Sequence, residues 1–175
     1  MRQIGFFIFL LILASCNQAK EKPSKLVYTD IKAFFESEAK RLTKNKTLVN
    51  KTIQQNRTSE SKSEISINWQ DEFILFIASD INKPAWKDSY KIIDDPLKTS
   101  YHSIDSGLRT KEIQINKDVN GKPTRFYIKN INKNNLYEST EILIYIPDSA
   151  YSIEKSQSVL LLGKNNLLIK AEIIK

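Results

Sequence analysis

Covalent hydrolysis of the Ser-His-Asp or Cys-His kind needs a nucleophile, a histidine base and a group that orients the base, and His102 is the one histidine this chain offers. Its 175 residues include one Cys, Cys16, and one His, His102. Those counts exclude disulfide frameworks and zinc sites built from Cys and His. His102 sits in Thr99-Ser100-Tyr101-His102-Ser103, a predicted strand, and no nucleophile or acid stands at a recognisable spacing from it. It reads as a structural or surface histidine. Paired carboxylates occur at Asp71-Glu72 and Asp94-Asp95, with Asp148 alone. Neighbouring carboxylates do not face one another, and no motif sets the separation a glycosidase needs. Asp71 and Glu72 suit the first turn of a helix, where acids are favourable against the dipole. Asp94-Asp95-Pro96 has the composition of a turn. There is no EF-hand spacing, no GxGxxG and no GxxxxGKS, and 4 Gly leave little backbone for a phosphate cradle. The expectation is a protein that is not an enzyme and uses no metal or cofactor.

The charge balance is +7, with 27 Lys+Arg against 20 Asp+Glu. Lysines are spread along the chain rather than clustered, which argues against nucleic acid. It suits a solvated surface or one that meets anionic lipid headgroups. Lys111, Lys117, Lys129, Lys155 and Lys170 are expected on outward strand positions, where they discourage edge-to-edge association.

Residues 1–16 read MRQIGFFIFLLILASC. Arg2 precedes an apolar run, Gly5 to Leu13, that is too short to span a bilayer, which takes roughly 20 residues. This is the pattern of a secretory signal. It ends in Leu13-Ala14-Ser15-Cys16, which resembles the lipobox of bacterial lipoproteins. The resemblance implies cleavage before Cys16, a diacylglyceryl group on its sulfur and usually a further N-acyl chain. One acyl chain alone binds membranes marginally, whereas several anchor the protein stably. Asn17, where an Asp would favour inner-membrane retention, implies the outer membrane. The absence of an acidic cluster after Cys16 favours its periplasmic face over the cell surface. The 24 Ile, 14 Asn and 22 Lys against 5 Arg fit a low-GC genome. With the leader, they make the chain similar to envelope lipoproteins of Bacteroidota. The expected division is a signal peptide at 1–15, the lipidated Cys and a flexible tether at 16–27, and one domain at 28–175.

Ile31, Phe34, Phe35, Ala39 and Leu42 recur at helical spacing, with Thr29 or Asp30 as N-cap and an end near Lys44–Lys46. Residues 43–63 read as a mobile loop with a short strand about Leu48, Val49 and Ile53, and Ile65 and Ile67, alternating with Ser66, read as a further short strand. Asn68 can cap a second helix whose apolar face is Trp69, Phe73, Phe76, Ile77 and Ile81. Ile74 and Leu75 widen that face, and Asn82 and Pro84 stop the helix. Candidate strands follow at 89–93, 99–104, 110–117, 124–131, 136–146, 150–156 and 167–174, with a short one at 159–162. Turns are expected at Asn120-Gly121, Lys133-Asn134-Asn135, Pro147-Asp148-Ser149 and Gly163-Lys164-Asn165-Asn166. Connections this short make neighbours antiparallel. The expected fold is α+β: two N-terminal helices packed on a curved antiparallel β-meander of six to eight strands.

Trp86 follows the second helix in a Pro-containing loop. It can plug one end of the helix–sheet interface, or with Tyr90 line an opening for a ligand; the plug is favoured. Asp148-Ser149-Ala150 resembles the O-glycosylation motif of Bacteroidota, which would place a glycan on Ser149. The leading expectation is a lipid-anchored, monomeric envelope protein with a non-enzymatic binding or accessory role. Its partners would be the membrane through Cys16 and another envelope protein or an anionic lipid. The alternative is a lipid or lipoprotein carrier holding acyl chains between sheet and helices. An apolar cavity there would favour the carrier, and a filled interface the binding module.

Overall fold

The computed structural model describes residues 26–160 and 163–174. The leader, Cys16 and the segment after it lie outside the described residues.

Helix α1 spans Ile31–Lys44, and the Asp30 carboxylate accepts from the Ala33 N–H at its start. Ile31, Phe35, Ala39 and Leu42 form its buried stripe. A hairpin follows, β1 (Leu48–Gln55) and β2 (Thr58–Ser66). The short strand expected about Leu48, Val49 and Ile53 lies in β1, and the loop expected for the rest of 43–63 is overturned. Its Ser, Thr, Lys and Gln residues are poor in apolar alternation because β2 is a solvated edge strand. Asn68 then caps α2 (Trp69–Glu72), accepting from the Gln70 N–H. A second single turn, α3 (Ile74–Ile77), follows directly. Phe73 between them, at φ −91° and ψ 4°, breaks what was expected to be one helix. Steps of four and three residues are served equally by one helix or by two turns, and here the two turns bury Trp69, Phe73 and Phe76. Ile74 is 60% exposed rather than part of the buried face.

A 3₁₀ turn at Pro84–Trp86 leads into β3 (Tyr90–Asp95), β4 (Lys98–Ser103), β5 (Thr110–Lys117), β6 (Pro123–Lys133), β7 (Tyr137–Ile146), β8 (Ala150–Val159) and β9 (Gly163–Ile173). Gly163 to Asn166, expected as a turn, instead opens β9, and Val159 ends β8 rather than starting a strand of its own.

All strand pairs are antiparallel, in one nine-stranded sheet of order β2-β1-β9-β8-β7-β6-β5-β4-β3. The expected α+β fold, two N-terminal helices packed on a curved meander of six to eight strands, is overturned: the described residues form mostly one antiparallel sheet with few, short helical segments. The strands number nine, and α2 and α3 follow β1 and β2 rather than preceding the sheet. The corrected element is the hairpin, which joins β9 through β1 and places β2 and β3 at opposite edges. Segment 67–89 must cross a sheet about 38 Å wide, eight spacings of about 4.8 Å. Extended chain broken by single turns covers that distance while fixing apolar anchors along it.

The sheet's inner face, defined by contact with the helical segments, carries Phe126, Ile128, Leu143, Tyr145, Tyr151 and Ile153. Phe35 stands at the centre: its ring lies 4.7 Å from Phe76, 5.1 Å from Phe126, 5.2 Å from Phe73 and 5.5 Å from Tyr145. Rings at these separations and tilts add favourable quadrupole terms to their burial.

Candidate functional site

Three carboxylates tie this aromatic layer to its borders. Glu38 lies on α1 in the same stripe as Phe35 and Leu42. Its carboxylate accepts from Arg41 Nε at 2.8 Å and Nη2 at 2.7 Å, and from the Tyr145 hydroxyl of β7. Arg41 Nη2 also donates to Asp148 Oδ1 at 2.5 Å. Glu72, at the end of α2, accepts from Lys51 Nζ of β1 and the Tyr151 hydroxyl of β8, each at 2.5 Å. Burial, and then the adjacent carboxylate, push both the Tyr145 and the Tyr151 hydroxyl well above the ordinary tyrosine range. These tyrosines donate protons to hydrogen bonds and do not lose them.

Glu141, on β7, is the third. Its side chain is 5% exposed, with Arg109 Nη2 at 2.5 Å and Lys155 Nζ at 3.1 Å. Burial raises its pKa, but the bonds and charges of Arg109 and Lys155 outweigh burial and hold it below the ordinary carboxylate value. Lys155 thus faces inward, contrary to the outward position expected for it. Lys117, also expected outward, reaches Asp94 at 3.3 Å.

Beyond Glu141 the inner face turns polar. The β6–β9 register places Asn132, Ser139, Gln157 and Asn165 in one row. The next row holds Asn130, Glu141, Lys155 and Leu167. Asn130 is buried and donates to Ser79 Oγ at 2.9 Å. Asn130 Oδ1, Ser139 Oγ and Asn165 Oδ1 are buried without a hydrogen-bond partner among the described residues. Unpaired buried acceptors are costly and call for water or a ligand donor. Bordering these rows, a cleft of about 310 Å³ is lined by Ile74, Leu75, Ile153, Leu167 and Ile169, with Lys51 and Glu72 at its rim. Of these two rows Asn132, Lys155, Gln157, Asn165 and Leu167 are half-buried and border the apolar cleft, whereas Asn130, Ser139 and Glu141 are buried.

Trp86 is half-buried against the core, with Lys83 Nζ 4.0 Å above its ring. The Tyr28 hydroxyl donates to the carbonyls of Trp86 and Lys87. Beside it a cleft of about 350 Å³ is lined by Leu26, Val27, Tyr28, Asn82, Lys83, Pro84 and Lys87. Tyr90 is buried: its hydroxyl donates to the Thr110 carbonyl at 2.9 Å, and its ring meets Tyr28 edge-on. His102 Nδ1 lies 3.7 Å from Glu112 Oε1, an oxygen already bonded by Gln114 Nε2. The neighbouring Tyr101 hydroxyl is engaged by Thr29. The structure does not bring Asp71-Glu72, Asp94-Asp95 and Asp148 together: Glu72 meets β1 and β8, Asp94 meets Thr99 and Lys117, and Asp148 meets Arg41. Ser149 is exposed in the β7–β8 turn.

Among the described residues no cluster of three metal-ligating side chains occurs, and no helix is long and apolar enough to cross a membrane. Comparison of the chain with protein-family models, curated proteins and solved structures finds no match.

Proposed function

We propose that the protein is a lipid-anchored module of the bacterial cell envelope that binds a partner, without catalysis, on the open polar part of its inner sheet face. The observation that carries this reading is the filled helix–sheet interface. Where an acyl chain would lie, Phe35, Phe73, Phe76, Phe126 and Tyr145 interlock. The polar groups left over for a partner are those of the half-buried Asn132, Gln157 and Asn165.

The anchor rests on Leu13-Ala14-Ser15-Cys16, directly after an apolar run of leader length. Attachment at Cys16 to the outer membrane, on its periplasmic side, is part of the same proposal. A second reading, a carrier of acyl chains, draws on the apolar bay of Ile74, Leu75, Ile153, Leu167 and Ile169.

Two measurements test the proposal. Cys16→Ser should move the protein from the membrane to the soluble fraction and abolish labelling by a radioactive fatty acid. Unchanged sedimentation with membranes would remove the anchor. A photo-crosslinking residue at Gln157 should give a discrete adduct in intact cells, and the same residue at outward-facing Ser152 should not. Equal labelling at both positions, or none at Gln157, would remove the binding surface.

A further inference from the structure

The two edges of the sheet are protected unequally. Edge strand β2 reads TSESKSEIS, breaks register against β1 at a bulge, and holds Glu64 at φ 53°. Charges, bulges and irregular backbone of this kind discourage strand addition. Edge strand β3 reads YKIIDD and pairs with β4 in unbroken register. Ile92 and Ile93 are 46% and 42% exposed on it.

The backbone pattern shows which groups of β3 are free. The Ile104 N–H donates to the Ser89 carbonyl, in line with the Tyr90–Ser103 pairing. Alternation then turns the amides and carbonyls of Lys91, Ile93 and Asp95 toward β4. Those of Ile92 and Asp94 point to the open edge. On the inner side the Asp94 carboxylate is engaged by Thr99 Oγ1 and Lys117 Nζ. Lys91 and Asp95, on the outer side with Ile93, have no ionic partner among the described residues.

We infer that β3 pairs antiparallel with β3 of a second copy of this chain, about a two-fold axis through Ile93. In this register Ile93 meets Ile93 of the other copy. Ile92 exchanges backbone hydrogen bonds with Asp94, and Lys91 faces Asp95, each twice. The strand is self-complementary in side-chain charge and in free backbone groups. Shifting the axis to Ile92 sets Lys91 against Ile93 and leaves Asp95 unmatched. A six-residue edge buries far less than a stable dimer interface, so the association is weak and concentration-dependent. It replaces the expectation of a monomer and is independent of the ligand surface.

Disulfide trapping tests the register, using the full chain with Cys16→Ser so that an introduced Cys is the one thiol. A central pair without backbone hydrogen bonds has Cα atoms about 4.5 Å apart, within disulfide reach. Ile93→Cys should therefore oxidise to a covalent dimer, and Ile92→Cys, which faces Asp94, should not. Adding Lys91→Asp or Asp95→Lys to Ile93→Cys should lower the trapped fraction about fivefold or more, since each sets like charges opposite one another twice. Mixing those two variants should restore it, because both cross-strand pairs become Asp–Lys. No dimer from Ile93→Cys, equal trapping at Ile92→Cys, or charge variants that trap alone as well as when mixed would each overturn the inference.

Discussion

The Tyr145 hydroxyl of β7 donates to the Glu38 carboxylate of α1 across 107 residues of chain, and the same carboxylate takes both an Nε and an Nη bond from Arg41. This joins the helix to the middle of the sheet by a polar contact inside an aromatic layer. Tyr145→Phe should cost about 1 kcal/mol, one lost hydrogen bond to a carboxylate that keeps Arg41. Glu38→Ala should cost about 2–3 kcal/mol, because it strands the hydroxyl. Chemical denaturation of the two single variants and the double variant checks this, and additive losses would show that the pair is not coupled.

Phe73 and Phe76 are fully buried. Phe73→Ala or Phe76→Ala should each lower stability by roughly 3–5 kcal/mol, through lost burial and the cavity left behind. Wild-type melting in either variant would remove segment 67–89 from the core.

Glu141 carries a pH signature. Its folded pKa lies below the ordinary value, so its stabilisation is complete above the unfolded value of about 4.3 and is lost as pH falls through the folded one. Glu141→Gln should cost about 1–3 kcal/mol at neutral pH. The wild-type and variant stability curves should converge as the solution is acidified below the ordinary carboxylate range. A gap that stays constant down to acid pH would show that the Arg109–Glu141–Lys155 cluster does not supply the difference.

Trp69 is buried and Trp86 half-buried. With Trp69→Phe, the remaining Trp86 emission should be partly quenched by acrylamide. With Trp86→Phe, that of Trp69 should be nearly untouched. Equal quenching of the two would contradict the packing of α2 on the sheet.

Much of the sheet was legible because its central strands are half-buried. Arg125-Phe126-Tyr127-Ile128-Lys129 alternates, and Phe126 and Ile128 point inward as that alternation requires. Of the β1–β2 hairpin only the apolar ends, about Leu48, Val49 and Ile53 and at Ile65, were legible, since the rest of a solvated edge strand such as TSESKSEIS carries no apolar alternation to read. The division of residues 69–77 into two turns was hidden too, because turns and a helix share the same apolar spacing. The polar ties left a weak signal that was available: Glu38 interrupts an apolar helical stripe, and Glu141 alternates with Leu143 and Tyr145. Their partners are set by the fold rather than by linear spacing: Tyr145 lies 107 residues from Glu38, Arg109 stands just before β5, and Lys155 opposes Glu141 across the β7–β8 pair.

The central claim is that the interface between sheet and helices is filled, so that the protein binds at its surface and does not carry acyl chains inside. Trp69, packed there against Phe73 and Tyr151 with centroids at 5.5 and 6.1 Å, reports on it directly. In the Trp86→Phe background, titration with a phospholipid brominated along its acyl chains should leave Trp69 fluorescence unchanged, because the quencher cannot reach the ring. Saturable quenching of Trp69 would place an acyl chain in the core and contradict the account.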